Sequence, residues 1–146
     1  MTDPYRKGLA SAVRFKSKRV VKAIQVVVLE GTIENRGLSL ITPKSRCVRE
    51  KEIFEFMVAE DEEVIPGGTA DTVRYLGFAE VDVGGSITVG DRVMCEDRFI
   101  GRVAGFDETH MPNHQNVVLV PENNSRDAEK VLQVGSILEF HLEENE

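Results

Sequence analysis

The sequence predicts an all-β fold, a small closed or nearly closed β-barrel with one short helix. Short stretches rich in β-branched and aromatic residues recur along the chain, and glycine-containing turns separate them. One segment near the carboxyl end has the pattern of a short helix instead. The 146 residues have the length of one ordinary domain, so we assign residues 1–146 to a single domain.

The first predicted strands lie in the most β-branched part of the chain. Residues 19–33 (RVVKAIQVVVLEGTI) predict a strand because valine and isoleucine dominate them. Residues 38–42 (LSLIT) predict a second strand, which ends at Pro43 because proline cannot donate to a β-ladder. Residues 50–58 (EKEIFEFMV) alternate, with Glu55 opposite three apolar residues, so they predict a half-buried strand whose inner face is Phe54, Phe56 and Val58.

The middle of the chain begins with a stretch of mixed helix and strand pattern and continues with a clear series of short strands. Residues 71–77 (DTVRYLG) predict one or two helical turns, and residues 78–85 (FAEVDVGG) predict a strand. Residues 86–107 then predict a set of short strands joined by tight turns. Within them, Gly101 and Gly105 are predicted to sit at β-bulges or sharp bends.

The carboxyl-terminal part completes the predicted barrel. Residues 116–120 (NVVLV) predict a strand that stops at Pro121. Residues 123–135 (NNSRDAEKVLQVG) predict the short helix, with Ser125 or Asp127 as its cap and Gly135 as its end. The last strand is predicted over 136–142 (SILEFHL), with Ile137, Glu139 and His141 on one face and Leu138, Phe140 and Leu142 on the other.

Charge is distributed unevenly along the chain. Residues 1–28 carry seven basic side chains and one acidic side chain, Asp3, which gives them a net charge of +6. Because the net charge of the whole chain is −7, residues 29–146 carry −13. We interpret residues 1 to about 18 as a basic amino-terminal arm. Such an arm binds nucleic acid or another anionic surface, or else it lies against the acidic surface of its own chain. The isoelectric point of about 5.1 argues against nucleic acid as the partner.

Cysteine content and hydropathy indicate the compartment. Two cysteines, Cys47 and Cys95, do not make a disulfide scaffold, and two reduced thiols are expected. No secretory signal pattern is visible, and the longest apolar run (AIQVVVL) is too short to span a bilayer. We therefore expect a cytoplasmic protein without membrane insertion. Barrel edges make a homodimer plausible, although no interface is evident from the sequence.

The segment GFDETHMPNHQN (105–116) is the strongest candidate in the sequence for a metal or catalytic site. It holds His110 and His114, four residues apart, and Asp107 and Glu108 precede them. A zinc site on the two histidines with Asp107 is one interpretation, since imidazole and carboxylate groups are zinc ligands. Pro112 disfavours helical backbone at the residue before it, so the two rings would have to converge within a loop.

Two other interpretations of this segment remain open. His114 or His110 could act as a catalytic base or nucleophile assisted by a carboxylate. Alternatively, the segment is a connection built from Asx and type I turns, in which His114 binds a loop carbonyl. No serine-hydrolase elbow and no glycine-rich phosphate loop occurs in the sequence. The candidate binding set is drawn from the polar residues of the segment: Asp107, Glu108, His110, Asn113, His114 and Asn116.

Three motifs carry a family resemblance: IGRVAGF (100–106), MPNHQNVVLV (111–120) and VGSILEF (134–140). In this order they make the stretch from Gly84 to Phe140 resemble the glucitol/sorbitol-specific enzyme IIA component of the bacterial phosphotransferase system. The resemblance implies a small β-barrel and a bacterial origin. It also implies a phosphoryl-accepting histidine just before the glycine-bounded strand, where this chain has Glu80 or Asp82.

The expected function follows from this difference between the chain and the family, a carboxylate in place of the acceptor histidine. A carboxylate in the acceptor position does not support phosphohistidine relay, so we expect a non-enzymatic module that binds a small molecule or a protein in carbohydrate metabolism. This module would need no cofactor. The alternative is a histidine phosphocarrier or a metal site, with zinc as the metal, built on His110 and His114.

Overall fold

The computed structural model describes residues 13–61, 63–122 and 125–143. In chain order the strands are β1 (Val21–Val28), β2 (Thr32–Ile33), β3 (Leu38–Ser39), β4 (Ser45–Val48), β5 (Ile53–Ala59), β6 (Thr69–Ala70), β7 (Val73–Val83), β8 (Gly85–Thr88), β9 (Arg92–Cys95), β10 (Arg98–Asp107), β11 (Gln115–Val120) and β12 (Ile137–His141). A short helix, α1 (Ser125–Glu129), lies between β11 and β12. The predicted all-β class with one short helix is confirmed.

Seven of the strands form a closed barrel. Around the barrel the order is β1-β12-β9-β10-β11-β5-β7, and β7 pairs with β1 to close it. The neighbours are antiparallel except β5 and β11, which are parallel. Outside the barrel, β2 extends the sheet beside β7, and β3 with β6 and β4 with β8 form two small sheets. Closure leaves the seven barrel strands without the unpaired edges that favour aggregation.

The interior of the barrel is filled with apolar side chains. Phe54 contacts Phe56 and Phe140 edge to face, with ring centroids 6.2 and 5.8 Å apart. Phe106, from β10, is fully buried in the same cluster. Burying each phenylalanine stabilises the fold by about 1.5–3 kcal/mol. The prediction that Phe54, Phe56 and Val58 share an inner face is confirmed.

Strand β5 is buried on both faces, so the prediction of a half-buried strand was wrong. Its outward residues Met57 and Ala59 belong to a second apolar cluster outside the barrel wall. Leu38 and Leu40 cover this cluster from the segment around β3. The parallel neighbour β11 contributes Val118. Alternation within one strand does not reveal that another part of the chain covers the outer face.

The prediction of helical turns over 71–77 was wrong, because this segment forms the start of β7. Val73 pairs with Ala59 of β5, and β1 pairs with the later part of the same strand. Ladders on both sides therefore override the weak local helical preference. The bulges predicted at Gly101 and Gly105 are confirmed, since the β10 register shifts at both positions.

The helix is shorter than predicted and is held by one arginine. α1 ends at Glu129, and turns follow it up to Gly135. Arg74 of β7 donates to both carboxylate oxygens of Glu129, at 3.0 and 2.6 Å, and also pairs with Glu60. Ala128 packs into the barrel core. The predicted cap at Ser125 falls outside the described side chains, as do residues 1–12 of the predicted basic arm.

The described end of the basic arm is bound to the rest of the chain by an ion pair with an aspartate. Lys18 donates to Asp91 at 2.5 Å and to the carbonyl of Ser86 at 2.6 Å, and the side chains of the ion pair are only 6% and 0% exposed. Arg19 donates to the carbonyl of Gly84. Of the two interpretations of the arm, residues 18 and 19 fit the one in which it lies on its own chain.

The two cysteines lie in different strands and in different environments. Cys47 is exposed in β4 and Cys95 is buried in β9, and both are free thiols. Burial raises the pKa of the Cys95 thiol. In the part of the chain that the structure describes, no helix is long and apolar enough to cross a membrane.

Candidate functional site

The connection from β10 to β11 is a series of turns organised by one buried carboxylate. Asp107, 1% exposed, accepts bonds from the backbone N–H and the hydroxyl of Thr109, both at 2.9 Å. Its Oδ1 also accepts a bond from Nδ2 of Asn116 at 3.0 Å, and its carbonyl accepts one from Gln115. Asp107 and Asn116 therefore fix the loop, as the turn interpretation predicts for an Asx motif.

His114 stands at the end of this loop and is held at both ring nitrogens. Its Nε2 donates to Oε1 of Glu55 at 3.1 Å, and its Nδ1 accepts a bond from Nδ2 of Asn113 at 2.9 Å. The side chains of His114 and Glu55 are only 10% and 9% exposed. An amide donor at Nδ1 and a carboxylate at Nε2 place the proton on Nε2. The predicted partner of His114, a loop carbonyl, is thus replaced by a carboxylate from β5.

The ring of His114 is also fixed by two neighbouring rings. It meets the ring of Phe78 edge to face, with centroids 4.9 Å apart and an angle of 80°. On another side the ring of His110 lies 5.1 Å away at an angle of 31°. The two histidines do converge, through a loop and not through a helix, as the position of Pro112 required.

Three members of the predicted binding set are exposed in the loop: Glu108, His110 and Asn113. Asp107 and Asn116 are buried, and His114 is nearly so. No hydrogen bond to the ring nitrogens of His110 is formed within the described residues. His110 therefore presents its imidazole to solvent beside a second imidazole whose position is fixed.

The surroundings of the two rings are apolar. Phe78 pairs with Glu55 of β5 on one side and with Val27 of β1 on the other. Val27 is 40% exposed, and Met111, in the loop, is 38% exposed. The site thus combines one exposed imidazole with a patch of apolar surface, and it lies on the outside of a filled barrel.

The arrangement restricts the chemistry available to His114. A metal ligand, a phosphoryl acceptor or a general base needs a free nitrogen lone pair, and the single lone pair of this tautomer already accepts the bond from Asn113. Both carboxylate oxygens of Asp107 are bonded to other groups. Among the described residues, no group of three or more histidine, cysteine, aspartate or glutamate side chains is arranged to hold a metal ion.

Sequence reasoning missed Glu55 and Phe78 as members of this site. Glu55 is 59 residues from His114 in the chain, and only the parallel pairing of β5 with β11 brings the two together. One signal was present: Glu55 is the single charged residue in the run IFEFMV. A lone carboxylate in so apolar a strand indicates a specific partner, because burying a charge without one is costly.

We expect Glu55→Ala to release the His114 ring. The variant should lose about 1–3 kcal/mol in the free energy of unfolding, since it removes a hydrogen bond to a charged group. Long-range ¹H–¹⁵N spectra should also show the Nε2–H form of His114 giving way to a mixture of tautomers. Glu108→Ala, which removes an exposed carboxylate of the same loop, is the control and should change neither. An unchanged imidazole spectrum in Glu55→Ala would contradict the assigned bond.

Comparison with known proteins gives a family but no described activity. A family model described as a family of unknown function (DUF6917) matches residues 15–141. No curated protein and no solved structure matches the chain.

Proposed function

We propose that this chain, which belongs to the family of unknown function DUF6917, is a non-enzymatic binding module that uses the outer-face site at His110, His114 and Glu55. The observation that carries the proposal is the bonding of His114. Both of its ring nitrogens are occupied by protein groups, so it serves to position the surface around it. His110 and the apolar side chains next to it then form the surface that meets a ligand.

A protein or a small molecule that approaches the outside of the barrel is the occupant that this geometry favours. The interior is lined by buried apolar side chains, among them the contacting rings of Phe54, Phe56 and Phe140, whereas the histidine site lies on the outer face. Exposed Met111 and Val27 offer apolar contact, and His110 offers a hydrogen-bonding ring. Apolar surface with a few polar groups is the usual composition of a recognition site. The resemblance of residues 84–140 to an enzyme IIA component supports a role in carbohydrate metabolism.

A histidine phosphocarrier is the second candidate, and the exposure of His110 favours it. The unprotonated ring nitrogen of His110 would attack the phosphorus of a phosphohistidine donor, and the donor's N–P bond would break as the new N–P bond forms, so that the donor imidazole leaves with the electron pair. His114, fixed by Glu55, would lie against the modified ring. The absence of a histidine at positions 80 and 82 makes this candidate depend on His110 alone.

One experiment separates the two candidates. The full chain, labelled with ¹⁵N, is mixed with glucitol, with mannitol and with the general phosphotransferase proteins, with and without phosphoenolpyruvate. We expect shift changes at residues 105–116 with at least one of these probes, their loss in His110→Ala, and no acid-labile phosphate. Acid-labile phosphate on His110 would establish the phosphocarrier instead. No shift change with any probe would overturn the binding proposal in carbohydrate metabolism.

A further inference from the structure

A second concave site lies on the outer face of β9 and β12, away from the histidine loop. It is a pocket of about 270 Å³ lined by Arg92, Met94, Glu96, Asp97, Glu139 and His141. Its volume lies just below the range of about 300–1,000 Å³ that is usual for small-molecule sites. Neither the family description nor the motifs of the sequence point to this pocket.

The register of the two strands orders the charges along the pocket. Arg92 pairs with His141 at one end, and Met94 pairs with Glu139 in the middle. The turn Glu96–Asp97 forms the other end, because it follows β9 directly. Glu96 follows Arg92 by four residue steps of extended chain, a span of about 13 Å. The pocket therefore has a cationic end and an anionic end with an apolar thioether between them.

The charges at the two ends are available to a ligand, whereas the charge in the middle is not. Glu139 accepts a bond from His141 at 2.8 Å and pairs with Lys22 at 3.6 Å. The bond from His141, with the charge of Lys22 adding to it, lowers the pKa of Glu139, so this carboxylate is ionised and already compensated.

At the cationic end, Nε of Arg92 lies 3.7 Å from Glu143, a distance longer than a hydrogen bond, and the Arg92 side chain is 44% exposed. At the anionic end, Glu96 and Asp97 form no ion pair within the described residues. Both adopt positive φ, 50° and 68°, and both are exposed in the tight turn between β9 and β10.

We propose that this pocket binds a small zwitterion of the ω-amino acid class, with its ammonium group at Glu96 and Asp97 and its carboxylate at Arg92. A guanidinium binds a carboxylate through two parallel hydrogen bonds, and paired carboxylates bind an ammonium. The methylene chain of the ligand packs on Met94, whose flexible thioether adapts to it. An α-amino acid, whose ammonium and carboxylate groups are attached to the same carbon atom, does not reach both ends.

The test uses the full chain and four probes: 6-aminohexanoate, hexylamine, hexanoate and glycine. We expect 6-aminohexanoate to bind at least about tenfold more tightly than each of the other three, since each of those makes at most one of the two charged contacts. Titration by NMR should place the shift changes at Met94 and His141. Equal affinity for hexylamine and 6-aminohexanoate, or no binding of 6-aminohexanoate, would overturn the proposal.

Three variants assign the two ends. Arg92→Gln should reduce the affinity for 6-aminohexanoate to that for hexylamine, and the double variant Glu96→Gln/Asp97→Asn should reduce it to that for hexanoate. Arg98→Gln, which removes one exposed positive charge next to the turn but outside the pocket lining, is the control and should bind as the wild type does. If Arg98→Gln weakens binding as much as Arg92→Gln, general electrostatics and not the pocket explains the affinity. His110→Ala should leave this site unchanged, so the pocket is tested independently of the proposed function.

Discussion

Gly77→Ala is expected to destabilise the barrel more than any other single-methyl change, or to prevent folding. Gly77, in β7, has a φ of +147°, and a Cβ added there would lie 1.9 Å from the carbonyl oxygen of Val27. It would also lie 2.7 Å from Nε2 of Gln25, a fully buried amide that donates to the carbonyls of Val27 and Leu76. The methyl group thus breaks up the β1–β7 pairing where the barrel closes.

Gly31→Ala is the matched control for this prediction. Gly31 has nearly the same φ, +140°, but a Cβ added there meets no atom within 4 Å. Its replacement should cost about 1–3 kcal/mol for backbone strain alone. Urea unfolding should show Gly77→Ala less stable than Gly31→Ala by at least about 2 kcal/mol, because the buried amide bonds are lost as well. Equal losses in the two variants would mean that the close contact at Gly77 relaxes without cost.

Lys18→Met is expected to cost about 3–5 kcal/mol at pH 7. The variant leaves the carboxylate of Asp91 buried without its cation, which is far more costly than losing a surface pair. Without Lys18, Oδ2 of Asp91 keeps the bond from the backbone N–H of Thr88, while Oδ1 has no hydrogen-bond partner among the described residues. Lys22→Met, which breaks the half-exposed pair with Glu139, is the control and should cost less than about 1 kcal/mol. Chemical denaturation of both variants measures the difference.

The cost of Lys18→Met should depend on pH in a defined direction. Burial raises the pKa of Asp91 above its usual value of 3.8, although Lys18 opposes that effect. Without Lys18 the folded-state pKa rises further, and the unfolded-state pKa does not change. The charge-dependent destabilisation is therefore complete above the variant's folded-state pKa, and it disappears once the pH falls below the wild-type folded-state pKa, which itself lies above 3.8. The stability difference between wild type and variant should narrow from pH 7 to pH 4, and a constant difference would show that packing and not charge is responsible.

The sequence predicts the position of the candidate site but not all of the residues that form it. The sequence indicates the histidine loop, and Pro112 correctly excludes a helix through it, because proline constrains backbone that is adjacent in the chain. It could not indicate which carboxylate holds His114. Asp107 is nearer in sequence but is used by Thr109 and Asn116, and Glu55 reaches the ring from another strand.

The sequence by itself determined the all-β class, the bulges at Gly101 and Gly105 and the inner face of β5, because these depend on alternation and backbone freedom within a few residues. Tertiary structure alone decided that 71–77 enters a strand from Val73 on, since its ladders to β2 and β5 outweigh its local preference. It alone also decided that Glu55 meets His114. Such contacts join residues far apart in the chain, and their free energy exists only once the barrel has closed around its core.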